Sequence, residues 1–324
     1  LQKILVEKSA QPYRLATLAH IEKPTVSNWK STILEHTKEL HQQHSWHVKK
    51  TDKNISFGLI RVANIKHAID LAKHLTEQLP YAKIACYHAN DWLISRFHKE
   101  QRLDFLLARH KKGTKRPTGN EHIYTDDEIC SIIEESQSDD IPFIVIATPV
   151  EEVGRDHDFD WAIIDVSSIQ SIVQTAGRVN RHRLNVVKQP NIVIPQFNYR
   201  YCQNKENNRK ASAFTRPGYE GYADPEEHYK TQDLSKLLPW SQDNTLVIDA
   251  RLRFDKLSCV FAKYDDQQIQ EFNEEYFASS GDQFFSNTKV HPKLMQEEIY
   301  KKTCLREYQK KEVYIGYLVI IEIE

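Results

Sequence analysis

The sequence predicts an α/β protein, a parallel sheet with helices packed on both faces. Three observations lead there. Short, nearly continuous apolar runs recur along the first two-thirds of the chain, the pattern of strands buried on both sides. Longer segments with apolar residues at helical spacing lie between them. The two kinds alternate, which builds crossovers rather than hairpins. At 324 residues, 40% hydrophobic and 10% aromatic, the chain is globular, with room for two domains.

The elements follow in order. "YRLATLAHI" (13–21) reads as a strand. "SNWKSTILEHTKELHQQH" (27–44) reads as a helix with Ser27 as its N-cap. "ISFGLIRVA" (55–63) is the next strand. In the helix that follows, Ala68, Leu71, Ala72, Leu75 and Leu79 share a face and Pro80 is the stop. "AKIACYHA" (82–89) is a strand and 91–110 a long amphipathic helix. A polar loop leads to a short helix over 126–137. "PFIVIATP" (142–149), "WAIIDVS" (161–167) and "NIVIPQF" (191–197) are three further strands. The polar stretch that begins at Asn198 holds closely spaced Pro217, Gly218 and Gly221 and reads as a linker or surface excursion. Beyond Leu234 lies a smaller unit, with strands over 244–254 and at the C-terminus and a helix over 267–277. The expected division is 1–200, a linker over 201–240, and a smaller α+β domain over 241–324.

A net charge of −1 and a pI near 7 exclude a uniformly basic nucleic-acid binder; such binding has to come from local patches. Five scattered cysteines without a C-x-x-C pair fit reduced thiols and a cytoplasmic home. The longest apolar run, "VYIGYLVI", is too short to span a bilayer, so no membrane partner is expected. The absence of an initiator methionine and the abrupt apolar end lead us to expect a piece of a longer protein.

Glycine is scarce, nine in all, and two of them mark the turns that carry chemistry. Gly154 lies in "ATPVEEVGRDHDFDWAI", and Gly177 in "QTAGRVNRHR". In the second, Gln174, Arg178 and Arg181 are spaced four and three apart, which puts them on one face of a helix. Two guanidinium forks and an amide on one face suit the γ-phosphate of a nucleotide, and arginine fingers stabilise charge in phosphoryl transfer. The bland alternative is an ordinary basic helix in solvent. The position after a sheet strand favours function, because ligands of such sheets bind at the carboxyl ends of strands. A metal site at Asp156, His157 and Asp158 is disfavoured, since the ligands crowd into one turn.

"ATPVEEVGRDHDFDWAI" resembles motif V of superfamily 2 helicases, "SIVQTAGRVNRHR" resembles motif VI, and "SFGLIRVAN" fits motif IV. Together with "CYHANDWLISRFHKEQRLDFLLARH", their wording is similar to the CRISPR-associated helicase-nucleases of type I systems, most closely subtype I-F. The resemblance covers 13–197 well and the remainder weakly. It implies a second RecA-like lobe, a linker and a C-terminal accessory domain. It implies Arg178 and Arg181 as catalytic fingers, with Gln174, Gly154, Asp156 and Gly177 facing ATP. It further implies Thr148, Arg61, Asn64 and His88 as contacts to single-stranded DNA.

No G-x-x-x-x-G-K-[ST] loop and no D-E-x-H or D-E-x-D after an apolar strand occurs in these residues. The resemblance therefore implies half of an ATPase site. Mg2+ would be held by a first lobe, and nuclease metal by a separate domain, of the same protein. The implied activity is that of an ATP-dependent DNA helicase and endonuclease that degrades target DNA in antiviral defence, with an RNA-guided surveillance complex as partner. The alternatives are a non-catalytic helicase-fold module for DNA or protein binding, and a helicase of another superfamily 2 branch.

Other residues admit two readings. Asn64 also suits an N-cap, and His88 a structural histidine. His41, His44 and His47 fit a solvated helix end better than zinc. Lys111, Lys112, Lys115 and Arg116 suit a solvated loop or a phosphate patch. Trp92, Trp161 and Trp240 suit base stacking, although Trp92 and Trp161 lie in or beside apolar runs and fit the core better.

Overall fold

The structure is a computed structural model and describes residues 12–109, 119–152, 155–214 and 231–248. Gly154, the Lys111–Arg116 loop, and the strand and helix expected after residue 248 lie outside the described residues.

One eight-stranded sheet organises them. Its strands are β1 (Leu15–Ala19), β2 (Trp46–Val48), β3 (Lys53–Arg61), β4 (Lys83–Tyr87), β5 (Asp140–Ala147), β6 (Trp161–Ile164), β7 (Ile192–Pro195) and β8 (Thr245–Val247). The order is β4-β5-β3-β6-β7-β1-β8, with β2 paired to the start of β3. All pairings are parallel except β1 with β8 and β2 with β3. The predicted α/β class and parallel sheet are thus present.

Helices cover both faces. On one lie α1 (Val26–His44), α2 (Ile65–Gln78) and α6 (Tyr199–Glu206). Their Trp29, Ile33, Leu40, Ala68, Leu71, Leu75, Tyr199 and Cys202 pack with Ile60, Ile144, Ile146, Ile163 and Val193 of the strands. On the other lie α3 (Leu93–Leu106), α4 (Asp127–Glu135) and α5 (Ile169–Ala176). There Leu103, Leu106, Ile129, Ile133, Ile172 and Ala176 meet Phe57, Leu59, Phe143, Val145 and Ile164. The period-2 alternation along β5 divides its residues between the two cores.

Local chemistry explains the boundaries. The N-cap of α1 is Thr25, whose hydroxyl accepts from the Asn28 amide, rather than the expected Ser27. Asp126 caps α4 in the same way. The buried Lys53 ammonium donates to the carbonyls of Ile133 at 2.6 Å and Ser136 at 2.5 Å, closing the other end of α4. Gly58 is required by packing: a Cβ there would stand 2.1 Å from the Trp161 ring, which is fully buried and donates from Nε1 to Ser56 Oγ.

Three expectations shift. The stretch from Asn198 read as linker begins with α6, held by buried Tyr199 and Cys202, and short helix α7 (Leu234–Leu237) also buries two leucines. The expected domain boundary at 241 falls just before β8, which extends the sheet through β1. Trp92, expected in the core, is 88% exposed. Among the described residues no helix is long and apolar enough to cross a membrane.

Candidate functional site

Two turns are laced together beside β3. The first follows β5: a short 3-10 turn, Pro149–Glu151, then residues 155–160 leading into β6. The second follows α5, which starts on a Ser168–Ser171 capping box and ends at Gly177. Phe159 donates its amide to the Arg178 carbonyl at 2.8 Å, and Asn180 donates to Phe159 at 2.9 Å. Asn180 takes a left-handed backbone (φ 49°), tolerated by asparagine, and its side chain bonds Asn185 and the Tyr13 carbonyl.

The helix ends before the arginines, so Gln174, Arg178 and Arg181 do not share one helical face. Gly177 is at φ −60°, and a Cβ on it would lie 3.2 Å from the Gln174 and Val173 carbonyls, a tight site without left-handed strain. Gln174 is exposed. Arg178 turns inward and is 6% exposed; its Nε donates to the Glu151 carbonyl at 3.2 Å and its Nη2 to the Glu152 carbonyl at 2.7 Å. Arg181 stays at the surface, with Nε donating to Asp156 Oδ1 at 2.5 Å. Burial tends to raise the Asp156 pKa, but hydrogen bonds from His182 and Arg181 prevail and hold it at about 2.

The crowded charge of this turn is mostly internal wiring. Arg183 holds Asp158 through Nε at 2.8 Å and Nη2 at 2.9 Å, and reaches Asp160 Oδ1 at 2.5 Å. Fully buried Arg109, from just beyond α3, donates to the same Asp160 oxygen at 2.7 Å. The other oxygen of Asp160 accepts from the Phe57 amide at 2.7 Å. Burial acts to raise the Asp160 pKa, yet Arg109 and Arg183 bring it to about 2.

Arg61 departs from its expected DNA contact. It is 2% exposed and all its nitrogens are engaged: Nε with Glu152 Oε1 at 2.6 Å, Nη1 with the Asp165 carbonyl and Nη2 with Ser167 Oγ, each at 2.7 Å. It braces the turns after β5 and β6 against β3. Nearby, burial raises the Asp165 carboxyl to about 6, against the Tyr199 amide and Arg61, which lower it.

Thr148 is 5% exposed and opens the 3-10 turn, its amide donating to the Tyr87 carbonyl at 3.2 Å. Asn64 stands at the N-cap of α2 without a side-chain cap bond; its Oδ1 accepts from Arg200 at 3.1 Å. His88 lies by Asp91, whose carboxylate meets the His88 amide at 3.4 Å, in a groove shared with Ile69, Lys73 and Lys99. Arg61, Asp156, Arg178 and Arg181 therefore form one neighbourhood; Asn64 and His88 stand apart from it.

The three spaced histidines separate. His41 is buried against Ser56 Oγ, His44 meets the Pro190 carbonyl and His47 meets Asn54. His41 is therefore not part of a solvated helix end. Sequence reasoning missed Glu151 and His157, both 1% exposed. His157 Nδ1 lies 2.5 Å from Glu151 Oε1 and its Nε2 lies 2.7 Å from Asp104 Oδ1.

A parallel sheet clad on both faces, with an arginine-bearing turn laced to the turn after a central strand, has the α/β architecture of a RecA-like lobe. Residues 54–184 match the family described as CRISPR-associated nuclease/helicase Cas3, C-terminal. The chain is 34% identical over 245 residues to the Cas3 nuclease/helicase of subtype I-F/YPEST from Pectobacterium atrosepticum, covering 71% of this chain and 21% of that protein. It is 34% identical over 200 residues to the counterpart from Pseudomonas aeruginosa, covering 60% and 17%. A T. fusca Cas3 crystal structure with AMPPNP shares 16% identity over 57% of this chain and 18% of its own, at a TM-score of 0.40. Over these residues this chain is similar to the C-terminal part of Cas3 nuclease/helicases, and it spans about a fifth of the length of the curated relatives it matches.

Proposed function

We propose that this chain supplies the second motor lobe of an ATP-dependent translocase on single-stranded DNA, within a helicase-nuclease that degrades target DNA in CRISPR interference. One observation carries the reading. Buried Arg61 and Arg109 and half-buried Arg183 each bond a carboxylate, whereas buried Arg178 bonds only backbone carbonyls among the described residues. Burial first, then the neighbouring Arg181, lowers its pKa from the usual arginine value, against the nearby Glu151, Asp156 and Glu152, which raise it. A buried guanidinium without a carboxylate is matched to an incoming anion, and a nucleotide phosphate is the anion that a finger at this edge meets.

In this reading ATP sits against a first lobe that lies outside these 324 residues and holds Mg2+. Arg178 and Arg181 then reach its γ-phosphate, with Gln174 at the rim and Gly154, Asp156 and Gly177 shaping the turns. Asp156 holds Arg181 in place until phosphate oxygens compete for it. Thr148, Asn64 and His88 face the DNA strand, which a guide-RNA surveillance complex delivers. Closure of the two lobes on ATP and reopening on hydrolysis alternate the grip on DNA.

The test is ATP hydrolysis by the 324-residue chain, with and without single-stranded DNA. No turnover above background is expected. DNA-stimulated turnover by this chain alone would overturn the half-site reading. In the complete helicase-nuclease, Arg181→Ala is expected to abolish DNA-stimulated ATP hydrolysis. A non-catalytic binding module is disfavoured, because it has no use for a buried cation whose hydrogen bonds go to backbone carbonyls alone among the described residues.

A further inference from the structure

We infer that Glu151 and His157 are positioning residues for Arg178, forming a buried relay that runs from Asp104 on α3 to the arginine finger; this rests on the reading that Arg178 meets the nucleotide. The geometry has three parts. Both ring nitrogens of His157 lie within hydrogen-bond distance of a carboxylate, Glu151 on one side and Asp104 on the other. The ring is thus held at both of its nitrogens, which fixes its orientation between α3 and the 3-10 turn. Glu151 is 1% exposed and its Oε2 has no hydrogen-bond partner among the described residues, so its carboxyl group is held through the His157 contact.

From there two routes reach Arg178. The first runs through the 3-10 turn. The carbonyls of Glu151 and Glu152 receive Nε and Nη2 of Arg178, so pinning the Glu151 side chain fixes the two acceptors that aim the guanidinium. The second runs through Phe159. The His157 ring meets the Phe159 ring edge-on, with centroids 6.1 Å apart, and the Phe159 amide bonds the Arg178 carbonyl. His157 thus ties down both the backbone of the finger and the carbonyls that orient its tip. The outer end, Asp104, is 53% exposed, so solvent reaches the relay only there.

The experiment uses the complete helicase-nuclease with single-stranded DNA and reads kcat and KM for ATP, with a thermal melt as the folding control. A finger displaced by about 1 Å loses roughly 10- to 100-fold in rate. His157→Phe is therefore expected to lower kcat by roughly that factor while KM stays within about twofold, the signature of a lost transition-state contact. Glu151→Gln, which keeps the shape and one acceptor, is expected to fall between His157→Phe and the native protein. In an Arg178→Lys background, the further effect of His157→Phe is expected to shrink to less than about threefold, because residues that act through one another are not additive.

A His157→Phe protein that folds and keeps native kcat overturns the inference, as does a loss of undiminished size in the Arg178→Lys background. If His157→Phe does not fold, Glu151→Gln carries the same comparison. An Arg178→Ala protein with native kcat would overturn the nucleotide reading and this inference with it. Loss of activity in Arg178→Ala beside native activity in both relay variants would overturn the inference alone.

Discussion

Replacing Asp160 with asparagine is the sharpest probe of the charged turn. The side chain is buried and bonds Arg109, Arg183 and the Phe57 amide. Asparagine keeps the volume and can still accept from Phe57, so the change removes charge and little else. Arg109 and Arg183 hold the carboxyl at about 2 against an ordinary 3.8. At 1.36 kcal/mol per unit, that separation contributes ~2.5 kcal/mol to stability at pH 7. The guanidinium of Arg109, fully buried, is then left without that counter-charge, and orphaning one half of a buried pair costs about 3–5 kcal/mol. The expected loss at pH 7 is therefore ~2.5–5 kcal/mol. The sign with pH follows from the lowered pKa. The stabilisation is complete above the ordinary value of 3.8 and disappears as pH falls through about 2. At pH 3 the proton-linked part is roughly half its neutral value. Urea unfolding of the native chain and Asp160→Asn at pH 7 and pH 3 measures both. A gap below about 1 kcal/mol at pH 7, or one that does not narrow at pH 3, would refute the reasoning.

Other outcomes are equally definite. Gly58→Ala pushes a methyl into the Trp161 ring and is expected to lower stability by about 1–3 kcal/mol in the same urea assay, whereas Gly58→Ala with Trp161→Phe loses less than the two changes summed. Lys53→Met strips the ammonium from the carbonyls at the end of α4 and is expected to cost about 1–3 kcal/mol, with faster amide exchange confined to 127–136. Asp165→Asn is expected to be more stabilising at pH 8 than at pH 5, because a carboxyl raised from 3.8 to about 6 costs stability progressively as pH rises through that window and in full above it; an effect of the opposite sign would show that Arg61 dominates.

The strands were legible because burial on both faces leaves a continuous apolar word, as in 142–149 and 191–197. What escaped the sequence did so for physical reasons. α6 reads as polar because only Tyr199, Cys202 and Asn204 of its eight residues are buried. β2 is three residues long, too short for any period to show. The arginine spacing in "QTAGRVNRHR" is that of a helix, but Gly177 ends the helix and sends Arg178 and Arg181 to different places. Arg61 looks like a free cation at a strand end, and only the fold brings Glu152, Asp165 and Ser167 to it. The motifs located the candidate site, while its wiring was hidden because Glu152, Asp156, Asp158 and Asp160 find their bases far along the chain. A signal did exist: "PVEEV" puts a charge where an apolar residue is expected, and "DHDFD" repeats acids at every second position. Both mark side chains that need buried partners.

The placement of β1 has a consequence for how the chain is made. Its two neighbours are β7, some 170 residues later, and β8, later still. On a ribosome adding about 5–20 residues per second, Leu15–Ala19 waits roughly 10–45 s for Val247 to emerge. Until β7 emerges, about three-quarters of the way through that interval, the segment is a nascent strand with neither of these mates, which is the state that chaperones and neighbouring polysomes encounter. A slow step in biogenesis is therefore expected at the closing edge of the sheet, far from the arginines on which the motor depends.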